Sequence, residues 1–80
     1  MYRLIYDPGI EATQDQLPPA ASAALTIALE VDCHDPIGDT LPRGLAEEWN
    51  REVHTAGAIA LSFVSHAQKT VAVLEIIPLA

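Results

Sequence analysis

Eighty residues make one domain, 1–80, close to the size below which a single apolar core no longer suffices. Half the residues are hydrophobic but only 5% are aromatic, so the core must be built from Ala, Val, Leu and Ile, and part of its stability is expected from a partner or a second copy. Four Lys and Arg stand against eleven Asp and Glu, a net charge of -7, which argues against nucleic acid or the ribosome as a partner. Gripping phosphates takes clustered cations, and Arg3, Arg43, Arg51 and Lys69 are spread along the chain.

Tyr2 to Tyr6 alternates Tyr, Leu and Tyr with Arg3 and Ile5, the pattern of a short first strand. Asp7-Pro8 ends it and predicts a helix from Pro8 to about Leu17, with Asp7 as its N-cap. Asp7, Glu11 and Asp15 then repeat at a four-residue spacing, which lines them along one solvated face. Pro18-Pro19 breaks this helix and opens a second, Ala-rich one to Cys33. Its stripe of Ala21, Ala24, Leu25, Ala28 and Leu29 is widened by Ile27 and Val31, so it is expected to be buried on more than one side or to offer a face to another chain.

The turn-rich run from His34 to Asp39 leads into an ordered loop ending at Arg43-Gly44. Leu45 to Asn50 is expected to add a helical turn anchored by Trp49. Arg51 to Thr55 alternates as a weak strand, with Arg51 and Val53 on one side and Glu52 and His54 on the other. Ala56-Gly57 bends the chain into a closing hairpin from Ala56 to Leu79, turned at Ser65 to Lys69. In it Ile59, Leu61 and Phe63 share one side, as do Leu74 and Ile76. The opposite sides carry Ala, Ser and Val, so both faces are expected to be partly covered.

Cys33 is the single cysteine, so an intramolecular disulfide is excluded. No leader-like segment and no apolar run of bilayer length occur, and the expectation is a cytoplasmic protein without a membrane partner. Cys33, His34, Asp35, His54 and His66 are each capable of metal or acid–base chemistry. Their spacing matches no zinc pattern, and neither metal nor cofactor is expected. Cys33 reads as a small buried thiol and His34 as a surface imidazole.

Several local features together resemble the RelE/ParE superfamily of bacterial type II toxins. These are Tyr2-Arg3-Leu4-Ile5-Tyr6 before Asp7-Pro8, the Leu17-Pro18-Pro19 break, the Asp35-Pro36 exit, Leu41-Pro42-Arg43-Gly44, and the hairpin from Gly57 to Ile77. The resemblance implies an α+β fold in which a small antiparallel-rich sheet, ordered β-α-α-β-β-β along the chain, packs on a helical hairpin. It also implies an antitoxin that wraps the chain.

The departures from that family bear on activity. Its messenger-RNA nucleases are strongly basic, with an Arg soon after the Gly that opens the third strand and basic, His or Tyr residues ending the last strand. Here the first position reads Gly57-Ala58-Ile59-Ala60, and Glu75 and Ile76-Ile77-Pro78-Leu79-Ala80 occupy the end. Cleaving RNA through its 2′-hydroxyl needs a base, an acid and a cation facing the phosphate. His54, His66 and Arg51 are the candidates that remain.

The expected function is therefore a toxin-family protein of a toxin–antitoxin-type system that works by protein binding, with nuclease activity weak or lost. Leu25, Leu29, Trp49 and Phe63 are its candidate partner-binding residues. The alternatives are an active toxin, either a ribosome-dependent nuclease or a gyrase inhibitor, and an unrelated small α+β module that homodimerises through its apolar helix.

Overall fold

The computed structural model describes residues 1–44 and 49–79. Its elements are β1 (Arg3–Tyr6), α1 (Ile10–Asp15), α2 (Pro19–His34), β2 (Leu41–Pro42), β3 (Asn50–His54), β4 (Ala58–Ser65) and β5 (Thr70–Pro78). The strands form one sheet in the order β1-β5-β4-β3-β2. Only β1 pairs in parallel, with β5, and the remaining pairs are antiparallel. This is the expected α+β plan with one addition, the two-residue strand β2 in a stretch expected to be loop. Pro42 is accommodated there because β2 is an edge strand, where a missing N–H costs no ladder bond.

Both helices pack on one face of the sheet. Leu25 and Leu29 of α2 are completely buried against Ala58, Ala60, Val53 and Val73, with Leu17 and Ile76 closing the cluster. Burial of each such leucine contributes roughly 1.5–3 kcal/mol. The small residues of β4 let α2 approach closely, and the approach is tightest at Gly57, where a Cβ would stand 2.5 Å from that of Ala21. A second cluster joins Cys33 to Val64 and Val71 beneath Tyr2 and Leu4.

Three sequence expectations are corrected here. The helix α1 begins at Ile10 rather than Pro8, with left-handed Gly9 as its N-cap and no side-chain cap. Asp7 instead turns the chain through its backbone, its carbonyl accepting the Ile10 N–H at 3.1 Å. In β5, Leu74 is skipped between the pairs Leu61↔Glu75 and Ser62↔Val73. That bulge breaks the two-residue period, so Val71, Val73 and Ile76 are buried while Leu74 does not share the side of Ile76. Finally, the helices cover one face of the sheet, and on α2 Ile27 and Val31 point outward, 63% and 47% exposed. The expected helical turn from Leu45 to Asn50 falls mostly outside the described residues. Among them no helix is long and apolar enough to cross a membrane.

Candidate functional site

The pairing register composes the uncovered face row by row. Ile5, Ala72, Phe63 and Asn50 run across β1, β5, β4 and β3. Beside them run Glu75, Leu61, Glu52 and Leu41, then Ile77, Ile59 and His54. Ile5, Phe63, Leu41 and Ile77 remain substantially exposed, so the face is apolar at its centre. Arg3 marks the end near the β4–β5 turn, while Glu52, Glu75 and His54 mark the end near Gly57.

His54 Nε2 lies 2.9 Å from Glu52 Oε1, a pairing their shared side of β3 makes possible. A carboxylate in that position orients an imidazole, and an oriented imidazole is the equipment of a general base or acid. The pair is largely solvent-exposed, where such contacts contribute little stability.

Arg51 faces the other way, into the covered side with Val53, as the alternation predicts. Its Nε donates to Thr40 Oγ1 at 2.7 Å, and its Nη2 donates to the carbonyls of Thr40 and Ile37 at 2.8 and 3.0 Å. Thr40 Oγ1 in turn donates to the Pro36 carbonyl. The guanidinium thus staples the 35–42 segment to β3, and its burial removes Arg51 from the catalytic candidates.

His66 sits at the opposite end of the sheet from His54, as expected: the two ends of β4 are roughly 20 Å apart at 3.3 Å per residue. Its Nδ1 is 2.8 Å from the Tyr2 hydroxyl. The two histidines cannot act on one reacting group.

Of the expected partner residues, Leu25 and Leu29 are corrected: both are 0% exposed and belong to the core. Phe63 and Trp49, 41% and 46% exposed, are accessible. Cys33 is buried, and its thiol is pushed up by that burial and then by Asp32 and Glu30, which makes it a poor nucleophile. His34 is exposed. Among the described residues no three His, Cys, Asp or Glu side chains converge to hold a metal ion.

Two polar features were not anticipated. Gln14 is buried between the helices, accepting from Tyr6 Oη at 2.9 Å and donating to Thr26 Oγ1 at 2.7 Å. The Tyr6 phenol is shifted upward, by burial first and then by Glu11. Asp32 is also buried, with Oδ2 lacking a hydrogen-bond partner, and burial followed by Asp39 pushes its carboxyl up to about 7. Its place in the core was signalled by the three-residue step from Leu29, which keeps it on the buried stripe.

No family model matches the sequence, and no curated protein matches it either. Solved structures do match the fold. The isolated Escherichia coli RelE toxin superposes with a TM-score of 0.85 at 17% identity, covering 100% of this chain and 86% of that one. The RelBE2 toxin–antitoxin complex of Mycobacterium tuberculosis gives 0.83 at 16% identity and 98% coverage of both chains. The archaeal RelE–RelB complex from Pyrococcus horikoshii gives 0.76 at 14% identity, with 96% of this chain and 93% of that one covered. The chain therefore has the RelE toxin fold.

Proposed function

We propose that this chain is the toxin-fold component of a bacterial toxin–antitoxin-type system, acting through protein–protein binding, with messenger-RNA nuclease activity weak or lost. The observation that carries this is the composition of the uncovered sheet face near Gly57. Ile59, Glu75 and Ile77 stand where the family resemblance calls for cations, and two carboxylates border an exposed apolar centre. The end of this face that bears Glu52 and Glu75 repels an RNA backbone, and among the described residues its strand rows hold no Lys or Arg to stabilise charge building on a cleaved phosphate. The same face complements an antitoxin-like partner that brings apolar side chains flanked by Lys or Arg. Several of the solved RelE folds are complexes with RelB antitoxins, which supports a partner of that class here.

The test is to express the chain alone and together with the product of its neighbouring reading frame. Co-purification of the pair, and unaltered growth when the chain is induced alone, are the expected results. Growth arrest on induction alone, relieved by the neighbour, would instead support an active toxin. One observation favours that second possibility: the His54–Glu52 pair supplies an oriented imidazole on the same face. If it is catalytic, His54→Ala abolishes the arrest.

A further inference from the structure

The last turn of α2 carries a buried carboxyl that its surroundings do not neutralise. Asp32 is 2% exposed, its Oδ2 has no hydrogen-bond partner, and among the described residues it forms no ion pair. A carboxylate is not stable in such a place without a cation or several donors, so the side chain is the neutral acid while it stays covered. The groups around it give no relief. α2 itself brings Glu30, Cys33 and the exposed His34, and the sheet beneath brings the apolar Val64 and Val71 against Cys33. β3 sends Arg51 inward, but its Nε and Nη2 are turned to Thr40 and Ile37. The segment that follows α2 brings Asp35 and Asp39, and the charge that acts on Asp32 is that of Asp39, a like charge.

The 35–42 segment that lies against this carboxyl is held lightly. Its large apolar side chains, Ile37 and Leu41, are exposed, and no described residue from 35 to 44 belongs to either apolar cluster. What ties it down is polar. Arg51 donates to Thr40 and Ile37, Thr40 donates to the Pro36 carbonyl, and β2 pairs with β3 over two residues. Segments with few buried apolar contacts open at a lower free energy than the whole domain.

We propose that the 35–42 segment is a pH-sensitive latch, closed over Asp32 while its carboxyl holds a proton and opening when the proton leaves. The proposal is independent of the partner-binding function. Opening hydrates the carboxylate and separates it from Asp39. It also takes β2 off the sheet, so that β3 becomes the edge strand. Burial and then Asp39 raise the closed carboxyl to about 7, against 3.8 for the hydrated group. Between these values the closed chain holds a proton that the open chain has released. Opening is therefore favoured about tenfold per pH unit across that range, and no further above it.

The test is amide hydrogen exchange of the full chain, followed by nuclear magnetic resonance from about pH 5 to 8 and corrected for intrinsic exchange rates. The Arg43 N–H donates across to the Asn50 carbonyl, so its exchange reports release of the segment, while Val64 and Val73 report the core. Protection at Arg43 is expected to fall about tenfold per unit up to about pH 7 and then level off. At every pH it should stay at least about tenfold below that of the core amides. Asp32→Asn should hold Arg43 protection constant across the range. Asp39→Asn changes an exposed side chain and leaves the fold intact, and with it the fall should end at a lower pH. Protection at Arg43 that ignores pH, or equals that of the core throughout, would overturn the proposal. So would a fall that persists in Asp32→Asn, or one whose end point Asp39→Asn leaves in place.

Discussion

The two faces of the sheet are made by alternate residues of the same strands and are built to different ends. Along β4, Ala58, Ala60, Ser62 and Val64 meet the helices and are fully buried, while Ile59, Leu61 and Phe63 face outward. The larger apolar side chains are on the uncovered side. A chain needing only a stable core would place them inward. Small residues inward permit close helix packing at Gly57 and Ala60, and large ones outward form a surface that gains from being covered. Stability and the recognition proposed for this chain would thereby be divided between even and odd positions of one strand.

Substitutions on the two faces should separate these roles. The largest effect is expected on the covered side: Leu25→Ala should lower unfolding stability by about 2–5 kcal/mol, measured by urea denaturation, because it opens a cavity in the centre of the core. A loss below about 1 kcal/mol would mean that α2 is not anchored there.

The pH dependence of stability is the next largest. The Asp32 carboxyl is raised to about 7 in the folded chain against an unfolded value of 3.8, so the native state holds a proton that the unfolded state has released. This contribution favours folding below the unfolded value, declines as pH rises from about 4 and is spent above pH 7. At about 1.4 kcal/mol per unit, the change is of the order of a few kcal/mol. Asp32→Asn should therefore flatten the pH profile of the urea midpoint and raise it above pH 7, whereas an unchanged profile would place the carboxylate in better solvation than its burial indicates.

On the uncovered face, Phe63→Glu and Ile77→Glu should leave stability within about 1 kcal/mol while weakening capture of the partner at least tenfold. Ile27→Glu on the outward side of α2 is the comparison, since equal losses from both sites would mean that the partner reaches beyond the sheet. The smallest effect is expected at the exposed His54–Glu52 pair, where Glu52→Gln should shift stability by less than about 1 kcal/mol and leave growth unaffected.

Much of the covered side was legible from residue spacing. The alternation of Arg51, Val53 and their neighbours put the right residues inward, and the Pro18-Pro19 break located α2 to within a residue. Local rules failed where tertiary contacts decided the outcome. Asp7-Pro8 carries a strong helix-start signal, yet Asp7 is held by β5 through the Val73 carbonyl, so the helix waits until after Gly9. The bulge at Leu74 has no local signature, and it undoes the predicted side-sharing of Leu74 and Ile76. Leu25 and Leu29 were legible as an apolar stripe, but the sequence holds no signal saying whether such a stripe meets its own sheet or another chain. The Tyr2–His66 contact spans 64 positions and is created by the parallel docking of β1 on β5, which periodicity cannot report.

The most direct test of the central claim is to map the ends of messenger RNA in a translating extract supplied with the purified chain. An uncovered face bearing Glu52 and Glu75, with no Lys or Arg among the described residues that pair with Ile59 or Ile77, predicts intact messages at every codon. Ribosome-dependent cuts within the reading frame, lost in His54→Ala, would contradict it.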